Sequence, residues 1–254
     1  MQHQRHILAA LVIVGSCFAA GSSFADCSNL PKWHQLRTAL QKARSAEKSG
    51  LENQMWGTIV DIDGTVCAVA FSGGVFTDQW LGSRVISAQK ANTANAFSLN
   101  TLVLSTANLY SAVQPGGSLY GLQHSNPVDT DVAYGGVAGE FGESDDPMVG
   151  KRIGGVNVFG GGLGLYKNNV KVGGVGVSGD TSCTDHDIAW RLRDNLKLDQ
   201  LSGVPGVSGD PTLPDNIVYD IKSNPDGGTG ISAGGFGHPT CINTGDQTKL
   251  PPVS

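Results

Sequence analysis

The chain has no surplus of basic residues: 17 Lys and Arg stand against 22 Asp and Glu, a net charge of −5. Without a basic stripe to neutralise phosphates, nucleic acid is excluded as a partner. Past the first two dozen residues there is no apolar run of membrane length. The cysteines lack the close spacing of a zinc site, being widely scattered. A nucleophile elbow is absent too, because Asp180 stands where the last glycine of Gly-x-Ser-x-Gly would fall after Ser178. No order of Ser, His and Asp, and no carboxylate pair, marks a catalytic set.

What is present begins with "MQHQRHILAALVIVGSCFAAGSSFADC". A short apolar run from Ile7 to Val14, then small residues ending Ser23-Phe24-Ala25, reads as a secretory signal peptide over 1–25. Cleavage after Ala25 implies a periplasmic or secreted protein with no transmembrane segment after processing. Lipid attachment at Cys17 and retention as an anchor are the competing readings. Cys27, Cys67, Cys183 and Cys241 remain, an even number that favours two disulfides in an oxidising space. Three pairings are open, as are four free thiols. Cys27–Cys67 with Cys183–Cys241 is preferred, because each bond would tie a terminal segment to the body.

Apolar spacing at Leu36, Leu40 and Ala43 predicts a first helix over 36–48. Thr58–Ile62 and Val66–Phe71 read as strands joined by an Asp63-Gly64 hairpin turn. Residues 80–112 read as helix in two pieces, and 114–155 as a long polar loop. Val156–Leu165 and Val170–Val177 flank Asn168-Asn169, residues that tolerate the positive φ of a tight turn. Asp180 to Ser182 are helix-capping residue types ahead of a helix over 184–198. The order predicts an α+β fold with one antiparallel sheet, packed N-terminal and C-terminal helices, and a long irregular tail.

Gly174, Gly176 and Gly179 form G-x-G-x-x-G. A dinucleotide site needs those glycines in a βα turn with further parallel strands beyond. No strand precedes the acidic Asp199 and no second βαβ unit follows, so the glycines read instead as a strand open to close approach by a backbone or a flat ligand.

Three blocks carry a family resemblance: "IVDIDGTVCAVAFSGG", "SAQKANTANAFSLNT" and "GGGLGLYKNNVKVGGVGVSGDTSCTDHDIAW". In this order they resemble the GlcG/HbpS-like haem-binding, or haem-degrading, family across most of 36–198. The resemblance implies an oligomer-forming α+β unit with about five strands in a profilin- or PAS-like sheet. The division is then 1–25 signal peptide, 26–200 family domain and 201–254 irregular extension. The long 120–155 loop and the tail suggest a specialised exported branch.

Haem, or another tetrapyrrole, is the cofactor the resemblance implies, and iron in haem takes His, Met, Cys or Tyr as axial ligand. His186, in the first turn of the last helix, is the first candidate for the metal ligand, and His124 in the loop the second. Lys90 and Arg84 are candidates for pairing with propionates. Gly174 and Gly176 are candidates for a slot that admits the flat ring. His34 and His238 are assigned no role. The plainer readings are a helix-start histidine, a solvated loop histidine and solvated helix charges. The functional expectation is an exported haem-binding protein of the cell envelope, forming a homo-oligomer. A cofactor-free interaction module of the same fold is the alternative, and a slow haem-degrading enzyme has little residue-level support.

Overall fold

The structure, a computed structural model, describes residues 27–228 and 230–254. The expected signal peptide therefore lies outside the described residues.

The elements run α1 Trp33–Ala46, β1 Trp56–Asp61, β2 Val66–Phe71, α2 Ser83–Phe97, two one-turn helices α3 Leu122–Ser125 and α4 Thr130–Tyr134, β3 Gly162–Lys167, β4 Val170–Ser178, α5 Ser182–Asn195, and a two-stranded ribbon of β5 Ile221–Lys222 and β6 Ile231–Ser232. The main sheet has four strands in the order β2-β1-β4-β3, and every pairing is antiparallel. The α+β architecture is as expected. Both hairpins form at the expected turns, with Asn168 and Asn169 at φ of 50° and 63°. α1 begins earlier than its apolar spacing suggested; of the two helical pieces expected over 80–112, the first is α2, ending at Phe97 and capped by Ser98, while the second is corrected to two short 3-10 turns, Thr106–Leu109 and Ser111–Val113.

The expected fifth strand is only partly realised. Beside β2, Val66 donates to Lys151 O and Gly150 donates to Val66 O, each at 2.8 Å. Gly150, Gly154 and Gly155 all take positive φ, which keeps this segment from continuing as a strand.

Alternation along the strands puts one row of side chains on each face. Ile59, Val175, Val177, Leu163 and Leu165 pack with Leu36, Leu40 and Ala43 of α1 and Ile188, Ala189 and Leu192 of α5. On the opposite face Val60, Val69 and Phe71 pack with Val85, Ala88 and Ala91 of α2. Ala133, Met148 and Ile153 from the long polar stretch join this second core. That stretch is thus built into the fold, held by Arg84, whose guanidinium makes two bonds to the buried Asp146 carboxylate and stacks 3.8 Å over Phe141.

The glycines of β3 and β4 explain how α2 sits so close. Gly162 pairs with Gly176 and Gly164 with Gly174, giving a flat two-by-two patch. A Cβ on Gly176 would lie 1.9 Å from Ser87 O, and one on Gly174 2.4 Å from Ala91 O. The patch is filled by the backbone of α2. Of the two sequence readings, close approach of a backbone is the one realised. The open slot expected at Gly174 and Gly176 is corrected: a helix already occupies that space.

The tail from residue 201 has little regular structure, yet it is anchored. Leu201, Val204, Ile217 and Leu250 are buried. Arg193 of α5 makes bonds of 2.7 and 2.8 Å to both oxygens of the buried Asp215, and Trp190 Nε1 donates to Pro251 O at 2.8 Å. Two disulfides, Cys27–Cys67 and Cys183–Cys241, fix the two ends. Among the described residues no helix is long and apolar enough to cross a membrane.

Candidate functional site

Three chain segments converge where β4 ends and α5 begins. Thr181 caps α5, its hydroxyl accepting from Thr184 N. The neighbouring Asp180 carboxylate accepts from Leu51 N and Asn53 N, pinning the 50–54 loop beneath it. The start of α2 lies across from this corner, and the Phe159–Gly160 turn closes the third side. Between them lies a cavity of about 450 Å³. Its wall is largely apolar, with Trp80, Ile86 and Phe159, and its polar groups include Ser178, Asp180, Ser182, Lys90 and Asp185. The volume is within the usual range for small-molecule sites.

Lys90 is buried in this wall. Its Nζ donates to Asp185 Oδ2 at 2.7 Å and to Val177 O at 3.0 Å. Asp185 also accepts from Asp180 N at 2.9 Å. Burial pushes Asp185 up to about 6 and holds Lys90 below the usual amine range, each against the attraction of the other.

His186 does not line the cavity. It is fully buried in the protein, 6.0 Å from the Trp190 ring. Burial first, then the Arg193 and His238 charges, push it down to about 3, against an opposing pull from Asn216. Desolvation is thus the chief cause of its neutral state. His124 is exposed on α3 and is not part of the cavity wall. Arg84 is committed to Asp146. Of the candidates, Lys90 alone lines the cavity. Trp80, Phe159 and Ser182 were missed, because nothing local in the sequence marks an aromatic in a loop as a wall.

Haem needs an apolar slot, a cation for its propionates and an axial donor. The apolar wall suits the first; the wall's cation, Lys90, is buried and already paired with Asp185. The third is not met among the described wall residues, which include no His, Met, Cys or Tyr.

The sheet, its three long helices and this recess define a small α+β protein with a ligand-sized, largely apolar cavity at the end of β4. The chain belongs to the family described as haem degrading protein HbpS-like, which it matches over residues 32–192. Similar solved structures include the PduOC:haem complex, at 26% identity over 64% of this chain and 89% of that one, with a TM-score of 0.44. Klebsiella pneumoniae protein ORFY is 24% identical over 68% of this chain and 97% of its own, with a TM-score of 0.44. HbpS is 14% identical over 70% and 97%, with a TM-score of 0.41. Comparison with curated proteins gave no match.

Proposed function

We propose that the protein binds haem or a related tetrapyrrole in the cavity between Trp80, Ile86 and Phe159, as an exported protein of the cell envelope. The observation that supports this is a largely apolar recess beside a buried cation, Lys90, in a chain of an HbpS-like family. Trp80, Ile86 and Phe159 would hold the ring, and Lys90, already paired with Asp185, would supply the positive charge nearest a propionate. Among the described wall residues none is an iron ligand of the usual kind. Export is supported by the N-terminal sequence and by the two disulfides, which persist in oxidising compartments. Intact mass of the secreted protein checks cleavage after Ala25. A symmetric homo-oligomer is part of the same proposal, and light scattering at micromolar concentration checks it.

Titrating haemin into purified mature protein tests the ligand. A saturable Soret change that weakens at least tenfold in Trp80→Ala or Phe159→Ala supports the cavity. His186→Ala and His124→Ala should leave the spectrum unchanged. A cofactor-free interaction module is the second reading, and no Soret change in the wild type would count against the haem reading.

A further inference from the structure

Ser182 lines the cavity and His238 lies directly behind it. The Ser182 Oγ and His238 Nε2 are 2.8 Å apart. The other ring nitrogen, Nδ1, is 2.7 Å from Pro239 O. A carbonyl only accepts, so Nδ1 carries the proton and Nε2 is left as the acceptor. The Ser182 hydroxyl therefore donates to His238, while its oxygen accepts from Gly160 N at 2.6 Å. The chain of bonds runs in one direction: Gly160 N–H to Ser182, Ser182 O–H to His238, His238 N–H to Pro239 O. This is the order of a nucleophile, its base and the group that orients the base.

The Cys183–Cys241 disulfide holds the arrangement together. Ser182 directly precedes one cysteine and His238 comes three residues before the other, so the bond brings the two segments to one place. His238 is 3% exposed, and burial holds it below the usual imidazole range, unprotonated near neutral pH. His238 also lies outside residues 32–192, the part that matches the family. The pair is assembled from the family body and the tail.

We infer that Ser182 and His238 form a nucleophile–base dyad that transfers the acyl group of a small apolar ester held in the Trp80–Phe159 cavity. Ser182 Oγ attacks the carbonyl carbon as its proton passes to His238 Nε2. The tetrahedral intermediate collapses, the ester C–O bond breaks, and the leaving alcohol takes that proton. Water then attacks acyl-Ser182 with His238 again as base, releasing the acid and restoring the serine. The sum is ester plus water to acid plus alcohol. Gly160 N–H donates to the attacking Ser182 oxygen, and Lys90, paired with Asp185, is the one cationic side chain in the described cavity wall.

The test uses the haem-free, oxidised protein, so its outcome is independent of haem binding. A fluorophosphonate probe is added and the modified peptide identified by mass, with p-nitrophenyl butanoate hydrolysis followed in parallel. Labelling of Ser182 is expected in native but not heat-denatured protein. Ser182→Ala should abolish both signals, and His238→Gln should slow both at least a hundredfold, with circular dichroism showing that each variant is folded. Folded wild type that leaves Ser182 unlabelled overturns the dyad, a result that requires no variant. So does hydrolysis that survives Ser182→Ala, or labelling that is as fast in folded His238→Gln.

Discussion

Lys90 and Asp185 meet at 2.7 Å although they belong to helices on opposite faces of the sheet. Lys90 rises from α2, Asp185 from the first turn of α5, and the contact closes at the end of β4, where Lys90 also takes Val177 O. Both side chains are almost wholly shielded from water. The pair therefore clamps the three layers at the corner that forms the cavity.

Removing one partner should be costly, because it strands the other charge. Lys90→Met is expected to lower unfolding free energy by about 3–5 kcal/mol. The double variant Lys90→Met with Asp185→Leu should recover much of that loss, since no buried charge remains. Urea unfolding of the single and double variants measures the difference.

The glycine patch makes a second prediction. Gly176→Ala places a methyl group 1.9 Å from Ser87 O and 2.5 Å from Ala91 N, both backbone atoms that cannot rotate away. Overpacking of this kind costs about 1–3 kcal/mol or more. The same substitution at Gly116, where an added Cβ meets nothing within 4 Å, should cost far less despite its positive φ. Thermal unfolding of the two variants compares them.

Asp187 gives a pH prediction. It is buried, accepts from Gln247 Nε2 at 2.9 Å, and is pushed up to about 7, mainly by desolvation. The folded state thus holds this proton more tightly than the unfolded chain, where the usual value is 3.8. Stability from this group is present at low pH and is lost as pH rises from about 4 through about 7. His186, pushed down to about 3, works in the opposite sense over the same window. The informative quantity is the difference between wild type and Asp187→Asn. The variant should match wild type near pH 4 and exceed it near pH 8 by on the order of 3 kcal/mol, read from urea unfolding across pH.

Cys241→Ser removes the bond that closes 58 residues. The chain-entropy cost is about 4 kcal/mol. Limited proteolysis should then cut within 201–254 while the Cys27–Cys67 end stays protected.

The two hairpins were legible because their turns carry local chemistry: Asp63-Gly64, and Asn168-Asn169 at positive φ. The first helix was legible from apolar spacing and the last from capping residues, the middle one only in its first half, and both disulfides from the placement of four cysteines. The site was less so. Arg84 and Lys90 look like solvated charges in their own helix, and the Asp146 and Asp185 that bury them are remote in sequence. The glycine strand shows its missing side chains but not that α2 fills the gap. Ser182 and His238 had one available signal, their positions beside the two cysteines of a preferred disulfide.

Thr58 of β1 faces Gly176 of β4, so the two central strands of the sheet join residues from distant parts of the chain. A polypeptide emerging N-terminus first has its β1–β2 hairpin and the Cys27–Cys67 partners long before either central pairing or the second bond is within reach. Loop-closure entropy makes the later step the slow one. During that interval β1 has a vacant edge and α2 has no glycine surface to rest on. Cys27 and Cys67 can then pair in order of emergence, without a competing thiol from the second pair.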